Sequence, residues 1–167
     1  LVTNTDAHGG STTSTVAATA TPVNDAPVSS NQSVTTKEEV SVTGAISATD
    51  ADGDTLSYTI STGPTHGTLT LNASTGAYTY TPTKDYNGSD TFTVVISDSH
   101  GGSTTSTVSV GITPVNDAPV SSDQQITTKE DIPVTGTISA SDVDGDTLTY
   151  TVSGNPAHGT VTLNSTG

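Results

Sequence analysis

The sequence repeats itself at an interval of 92 residues. Residues 1–72 align without a gap to residues 93–164, and 48 of the 72 aligned pairs are identical. The segment TPVNDAPVSS occurs unchanged at residues 21–30 and again at residues 113–122. A period of this length, kept through turns and strands alike, is typical of a tandem array of structural modules. The function is therefore expected to belong to the array rather than to one self-contained globule.

The boundaries of the repeats are marked by the two TPVNDAPV segments. These turn-forming, proline-containing segments separate stretches in which apolar and polar residues alternate. We therefore expect residues 1–25 to be the C-terminal part of a preceding repeat, residues 26–117 one complete repeat, and residues 118–167 the N-terminal part of a following repeat. Both ends of the sequence then fall inside repeats, so we expect it to be a segment of a longer protein.

The composition favours extended strands. Only 29% of residues are hydrophobic, and Thr, Ser, Val and Gly dominate. Alternation within the complete repeat predicts seven strands, with Leu56, Tyr58 and Ile60 on one inward face. The predicted ranges are Val40–Thr49 for a first pair bent near Gly44, then Thr55–Ser61, Thr68–Leu71, Ala77–Thr81, Thr91–Ser97 and Thr104–Ile112. Seven short strands at this spacing favour a two-sheet β-sandwich over an up-and-down barrel, which usually has an even strand count, or a β-solenoid, whose repeats are far shorter.

The charge balance excludes two classes of partner. Seventeen acidic residues face three lysines and no arginine, which gives a formal net charge of −14. Such a chain repels phosphate backbones and anionic lipid, so we expect no nucleic-acid partner. No apolar run reaches about 18 residues, so we expect no membrane insertion in this segment. Cysteine is absent, so a domain of this size must be stabilised by interactions other than disulfides.

Three carboxylates at alternate positions, Asp50, Asp52 and Asp54, form a single predicted turn with Gly53. The following repeat carries the same turn as Asp142, Asp144 and Asp146. Like charges held this close repel one another, and a hard cation would relieve the repulsion. Calcium takes six to eight oxygen ligands from carboxylates, carbonyls and water, and glycine permits the sharp turn. The alternative interpretation is an acidic hairpin turn stabilised by its Asp-Gly geometry alone.

Further acidic positions recur with the same period. They are Asn24–Asp25 and Asn116–Asp117 in the linkers, Glu38–Glu39 and Glu130–Asp131, and Asp98 in the segment SDSHGG. Together with ATDADGD, YTYTP and NGSDTF, their order resembles the cadherin-like repeats of long bacterial surface proteins, especially calcium-dependent adhesins of the RTX type, and more remotely animal cadherin ectodomains. The resemblance covers the whole chain. It implies an all-β fold of tandem seven-stranded Greek-key β-sandwiches, cadherin-like or Ig-like.

The resemblance also implies calcium at the junctions between repeats. At the first junction the implied ligands are Asn24 through its carbonyl, Asp25, Asp50, Asp52 and Asp98. At the second they are Glu38 or Glu39, Asn116, Asp117, Asp142 and Asp144, while Asp54 and Asp146 complete the two turns. The Asp-Arg-Glu element of animal cadherins is missing here, and the nearest acids are Asp85 and Asp90, of which Asp90 is taken as a candidate ligand.

The expected function is therefore a non-catalytic extender of a large extracellular bacterial adhesin or matrix fibre, located at the cell surface. Its partners would be the neighbouring repeats, with Ca²⁺ stiffening the string. Two alternatives remain: an Ig-like module that binds glycan or protein, and a filament subunit that associates with copies of itself by strand exchange. No nucleophile motif Gly-x-Ser-x-Gly occurs. The four histidines each precede a glycine and lack a second His or Cys at zinc-ligand spacing.

Overall fold

The computed structural model describes residues 1–164, and this part of the chain is all-β with no helix. The strands are β1 (Val2–Thr5), β2 (Ser11–Ser14), β3 (Val28–Ser29), β4 (Gln32–Lys37), β5 (Val42–Ala45), β6 (Ala48–Thr49), β7 (Ser57–Thr62), β8 (Gly67–Leu71), β9 (Ala77–Pro82), β10 (Gly88–Ser97), β11 (Ser103–Thr113), β12 (Val120–Ser121) and β13 (Ala140–Ser141). Nine of them, β3 to β11, lie between residues 26 and 117 and surround the buried apolar residues.

Two sheets form the body of this central region. One has the strand order β4-β11-β10-β7 and the other has the order β5-β9-β8, while β3 pairs with β6 in a short separate ladder. The pairing of β4 with β11 is parallel, and the remaining pairings are antiparallel. Alternate side chains of both sheets meet in one apolar layer, as in an aligned sandwich. The predicted all-β sandwich class is therefore confirmed.

The core forms because alternate residues of the long strands face inward. In β10, Phe92, Val94 and Ile96 are almost fully buried, and in β11 Val108 and Val110 meet them from the neighbouring strand. Each of these side chains contributes roughly 1.5–3 kcal/mol on burial. The opposite sheet adds Tyr78 and Tyr80, and the Tyr78 ring meets the Phe92 ring edge-on with centroids 5.1 Å apart.

Two details of the strand prediction are wrong. Strands β3 and β4 were not predicted, because QSVTTK has a single large apolar residue, Val34; β4 is a strand because it pairs with β11. The predicted inward residue Ile60 is 38% exposed, although it pairs with buried Val94, because it lies on β7 at the edge of its sheet. The break that was predicted near Gly44 lies directly after Ala45, and Gly44 pairs with Tyr78 inside β5.

The sequence period reappears as a repeated strand register. In the central region Val28 pairs with Thr49, and 92 residues later Val120 pairs with Ser141. The hairpin of β1 and β2 likewise turns around Asp6, as that of β10 and β11 turns around Asp98. Equivalent sequence therefore gives equivalent local structure on both sides of the central sandwich. Among residues 1–164, no helix is long and apolar enough to cross a membrane.

Candidate metal centre

Three carboxylates converge at one end of the sandwich. Asp50, Asp54 and Asp98 each offer a carboxylate oxygen, and these oxygens all lie within 4.8 Å of one another; we call them the first-junction cluster. Asp50 directly follows β6, and Asp98 directly follows β10. Because the two strands end at the same edge, residues 48 positions apart in sequence become neighbours.

The turn after β6 is built by Asp50 itself. Its Oδ1 accepts hydrogen bonds from the backbone N–H of Asp52 (3.0 Å) and of Asp54 (3.2 Å). Gly53 completes the turn at φ +80°, a left-handed conformation that side chains rarely adopt. One oxygen of Asp50 is thus used to fold the turn. The other oxygen, Oδ2, is buried and accepts no hydrogen bond from any described residue.

Asp98 is held charged by the groups around it. It is 1% exposed, and its Oδ2 accepts a hydrogen bond of 2.9 Å from the Asn24 amide. Its Oδ1 accepts bonds from the backbone N–H of His100 and of Gly102. The amide of Asn24, and then these backbone donors, hold the pKa of Asp98 below its usual range, although burial acts in the opposite direction. The carboxylate is therefore ionised and available to a cation at neutral pH.

The linkers are tied to the acidic turns in the same way at both junctions. The backbone N–H of Asp25 donates to Asp52 Oδ2 over 2.7 Å. Exactly one period later in sequence, the N–H of Asp117 donates to Asp144 Oδ2, also over 2.7 Å. The linker residue and the second aspartate of the turn therefore form a recurring contact.

A second cluster spans the junction between the sandwich and the following repeat. It consists of Glu38, Asp117 and Asp144, whose carboxylate oxygens lie within 4.8 Å of one another; we call it the second-junction cluster. Glu38 is 1% exposed and accepts a hydrogen bond from the backbone N–H of Val115. The three acids come from the sandwich, the linker and the following repeat, so this site contains groups from both sides of the junction.

A third group of acids lies beside it and contains a lysine. Glu39, Asp85 and Asp117 also bring one oxygen each within 4.8 Å. Lys84 Nζ lies 2.7 Å from Asp85 Oδ1 and 3.5 Å from Glu39 Oε1; we call these four residues the lysine-bearing cluster. The hydrogen bond to Asp85, and then the charges of the acids, raise the pKa of Lys84. The ammonium is therefore charged among carboxylates.

Asp90, the candidate ligand taken in place of the missing Asp-Arg-Glu element, lies in none of these clusters. Its carboxylate is 5% exposed and accepts hydrogen bonds from the backbone N–H groups of Thr65, His66 and Thr91 and from the Tyr80 hydroxyl. The acid beside the second junction is Asp85, which sequence reasoning considered but did not choose.

The other candidate residues surround the clusters without belonging to them. Asn24 donates its amide to Asp98, a contact different from the carbonyl ligand expected of it. Asn116 donates its amide to the carbonyl of Asp117. The residues placed outside the three clusters are Asn24, Asp25, Asp52, Asn116, Asp142 and Asp146. Asp142 shapes the second turn, because its Oδ1 accepts from the N–H groups of Asp144 and Asp146.

His100 is a neighbour of the site that sequence reasoning did not assign to it. Its Nδ1 lies 3.0 Å from Asp54 Oδ2 at the first-junction cluster. The signal for it was the SHGG segment directly after Asp98, because a tight turn at the end of β10 keeps His100 close to that strand end. The imidazole thus contacts one of the three converging carboxylates.

Solved structures with similar folds include cadherin fragments. Human protocadherin-24 EC1-2 (Form II) and human CDH23 EC21-23 each give a TM-score of 0.50 and 23% identity over 72% of this chain, and the match covers 62% and 47% of those chains respectively. An endo-fucoidan hydrolase from glycoside hydrolase family 107 gives a TM-score of 0.47 and 19% identity, covering 70% of this chain and 20% of the hydrolase. The chain spans less than two thirds of each, and at these identities the likeness shows the fold alone.

Two protein families match the sequence. Residues 116–167 match the family described as a bacterial Ig domain, and residues 24–114 match the family described as a bacterial cadherin-like domain. No curated protein matches the sequence. Domains of these two families usually occur in extracellular surface proteins and are typically non-catalytic. Because the match to residues 24–114 covers more than half of the chain, this protein belongs to the bacterial cadherin-like domain family.

Proposed function

We propose that this segment is a structural extender of a large extracellular bacterial adhesin or matrix fibre, and that Ca²⁺ bound at the junctions stiffens its tandem repeats. The family supports an extracellular, adhesin-type repeat. The calcium dependence rests on the acids at the junctions. The same proposal holds that such an extender carries a distal domain.

The observation that carries the proposal is the second-junction cluster. Its three acids, Glu38, Asp117 and Asp144, belong to the sandwich, the linker and the following repeat. None of the ion pairs found among residues 1–164 involves any of the three. A hard divalent cation that prefers carboxylate oxygens would neutralise them and connect the two repeats.

The first-junction cluster supports calcium on independent grounds. A buried carboxylate oxygen without a hydrogen bond is costly, because the desolvation of a charged acceptor is not compensated. Asp50 Oδ2 is such an oxygen, and Asp50 belongs to the cluster that it forms with Asp54 and Asp98. Bound calcium would supply the missing partner. Asp50, Asp54 and Asp98 are therefore the proposed ligands at this end.

Calcium at such a site would make stiffness conditional on the environment. Two domains joined by a few linker residues move relative to each other unless their interface is large. A cation held by both domains and the linker stabilises the closed arrangement by about 2.7 kcal/mol when its free concentration is a hundred times its dissociation constant. The string would be flexible where calcium is scarce and rod-like outside the cell.

The test is a calcium titration of the 167-residue chain, followed by thermal melting and small-angle X-ray scattering. We expect calcium to raise the melting temperature by on the order of 10 °C, and to raise the radius of gyration as the repeats align. The variant Asp144→Asn, which removes one charge from the second-junction cluster, should lose most of the scattering response.

The matched control is Asp123→Asn, which makes the same chemical change at an exposed residue of the following repeat. It should respond to calcium as the unmodified chain does. Equal calcium responses from Asp144→Asn and Asp123→Asn, or no response from the unmodified chain, would contradict the proposal.

A further inference from the structure

The lysine-bearing cluster differs from the other two acidic clusters, because it already contains a cation. Lys84 Nζ contacts both carboxylate oxygens of Asp85, at 2.7 and 3.0 Å, and lies 3.5 Å from Glu39 Oε1. The third acid of the group, Asp117, is shared with the second-junction cluster. The carboxylate of Asp117 therefore belongs both to the lysine-bearing cluster, which contains an ammonium, and to the second-junction cluster, which contains none.

The surroundings show that the lysine lies at the junction and not only on the surface of the sandwich. A cleft of about 290 Å³ opens between the sandwich and the following repeat, and its lining includes Lys84, Asp85, Asp117 and Asp142. Asp142 begins the acidic turn of the following repeat. The lysine therefore lines the same cleft as acids from the linker and from the next repeat.

From this placement we propose that Lys84 is a built-in cation of the second junction, whose ammonium takes the place of a divalent ion between Glu39 and Asp85. The junction then binds one calcium ion, at Glu38, Asp117 and Asp144, instead of two. This inference rests on the proposed function, because it concerns how many ions the junction holds. Lys84 then determines how many calcium ions the second junction binds.

The physical reason is charge competition at short range. Three carboxylates within 4.8 Å would attract a divalent ion, but an ammonium bonded to one of them repels that ion. For a divalent ion and a unit charge about 4 Å apart in water, the repulsion weakens binding by about thirtyfold. The Lys84 side chain is 74% exposed, so its removal leaves no cavity in the core.

The experiment counts calcium ions bound to the 167-residue chain by isothermal titration calorimetry, for the unmodified chain, Lys84→Met and Lys37→Met. Lys37 ends β4, is exposed, and takes part in none of the ion pairs found in residues 1–164, so it controls for loss of one positive charge at the same end of the sandwich. Melting curves recorded without calcium verify that all three proteins are folded.

We expect Lys84→Met to bind one more calcium ion per chain than the unmodified protein, while Lys37→Met is unchanged. The inference is overturned if the unmodified chain binds calcium and Lys84→Met binds the same number of ions, or if Lys37→Met gains an ion as well. If none of the three proteins binds calcium, the proposed function fails, and the role of Lys84 fails with it.

Discussion

Individual carboxylates in this protein have two kinds of surroundings. Asp90 faces protein donors: two backbone N–H groups of the loop before β8, a third from Thr91, and the Tyr80 hydroxyl at 2.9 Å. Asp50 instead has one buried oxygen that accepts no hydrogen bond, and it clusters with Asp54 and Asp98. The first kind of acid stabilises the fold through hydrogen bonds from protein donors. Because the second kind lacks such a donor on one oxygen, we expect the two kinds to respond differently to calcium.

Replacement of Asp90 by Asn should destabilise the sandwich in the absence of calcium. The amide nitrogen of Asn would face N–H donors that the carboxylate now satisfies, so the free energy of unfolding should fall by about 2 kcal/mol at neutral pH. Urea denaturation measured with a calcium chelator present would give this value. Asp123→Asn, at an exposed position, should leave it unchanged.

The pH dependence of that difference is also predictable. Burial disfavours the charged form of Asp90, but the backbone N–H groups of Thr65, His66 and Thr91 and the Tyr80 hydroxyl outweigh it, so the pKa lies below its usual value. A lowered folded pKa means that the carboxylate stabilises the fold above the unfolded pKa of about 4, and that this contribution is lost as the pH falls through the folded pKa. The gap between the two proteins should narrow below about pH 4; a gap that is constant between pH 7 and pH 3 would show that the charge of Asp90 does not matter.

At the scale of the strands, the packing of β5 against β9 depends on one missing side chain. Gly44 pairs with Tyr78, and a Cβ atom at residue 44 would collide with the Tyr78 hydroxyl and ring. Tyr78 is itself fixed by its contact with Phe92 in the core. The tyrosine ring therefore occupies the space that a side chain on β5 would need, and the pairing requires glycine there.

Gly44→Ala should lower the melting temperature because overpacking of a filled site costs about 1–3 kcal/mol. Gly63→Ala is the matched control, since a Cβ atom at residue 63 would meet nothing within 4 Å. Differential scanning calorimetry of both variants would compare them directly. The close approach would be refuted if Gly44→Ala melted at the same temperature as Gly63→Ala.

At the scale of the whole molecule, charge is concentrated at the ends of the sandwich. Apart from Asp90 inside β10, the acids of the central region lie in turns, in the linker and next to strand ends, while the strands carry Thr and Ser on their outer faces. Repulsion among these acids therefore acts mainly at the junctions, where a neighbouring repeat contributes more acids. We therefore expect the junction to be the part of the molecule whose stability depends most on ions.

Local opening of the second linker, which contains Val115 and Asp117, should show how far the junction depends on bound calcium. In a fixed excess of calcium, elastase should cleave after Val115 about tenfold faster in Asp144→Asn than in the unmodified chain, the equivalent of about 1.4 kcal/mol of opening free energy. Mass spectrometry of the fragments would measure the rates. Cleavage after Val16, which is 76% exposed and far in sequence from that linker, is the internal control and should not change. Equal rates at Val115 would mean that Asp144 does not hold the linker closed.

Much of the fold could be predicted because its signals are local. Alternation of apolar residues in β10 and β11 predicted two core strands and the sandwich class. The recurrence of Asp50 as Asp142 predicted equivalent turns in two repeats, and both turns form with the same backbone hydrogen bonds. Such features depend on neighbours within a few residues, and the three aspartates and the glycine of the turn are the same in both copies.

The sequence by itself determined that the chain is a tandem all-β protein whose acids lie between repeats. Only the tertiary structure decided that Asp85 and not Asp90 clusters with Glu39 and Asp117, that Lys84 accompanies it, and that Ile60 on an edge strand stays partly exposed. Each of these depends on which distant strands are paired and in what register. A shift of one residue in a strand turns every side chain to the opposite face, and no local pattern records that choice.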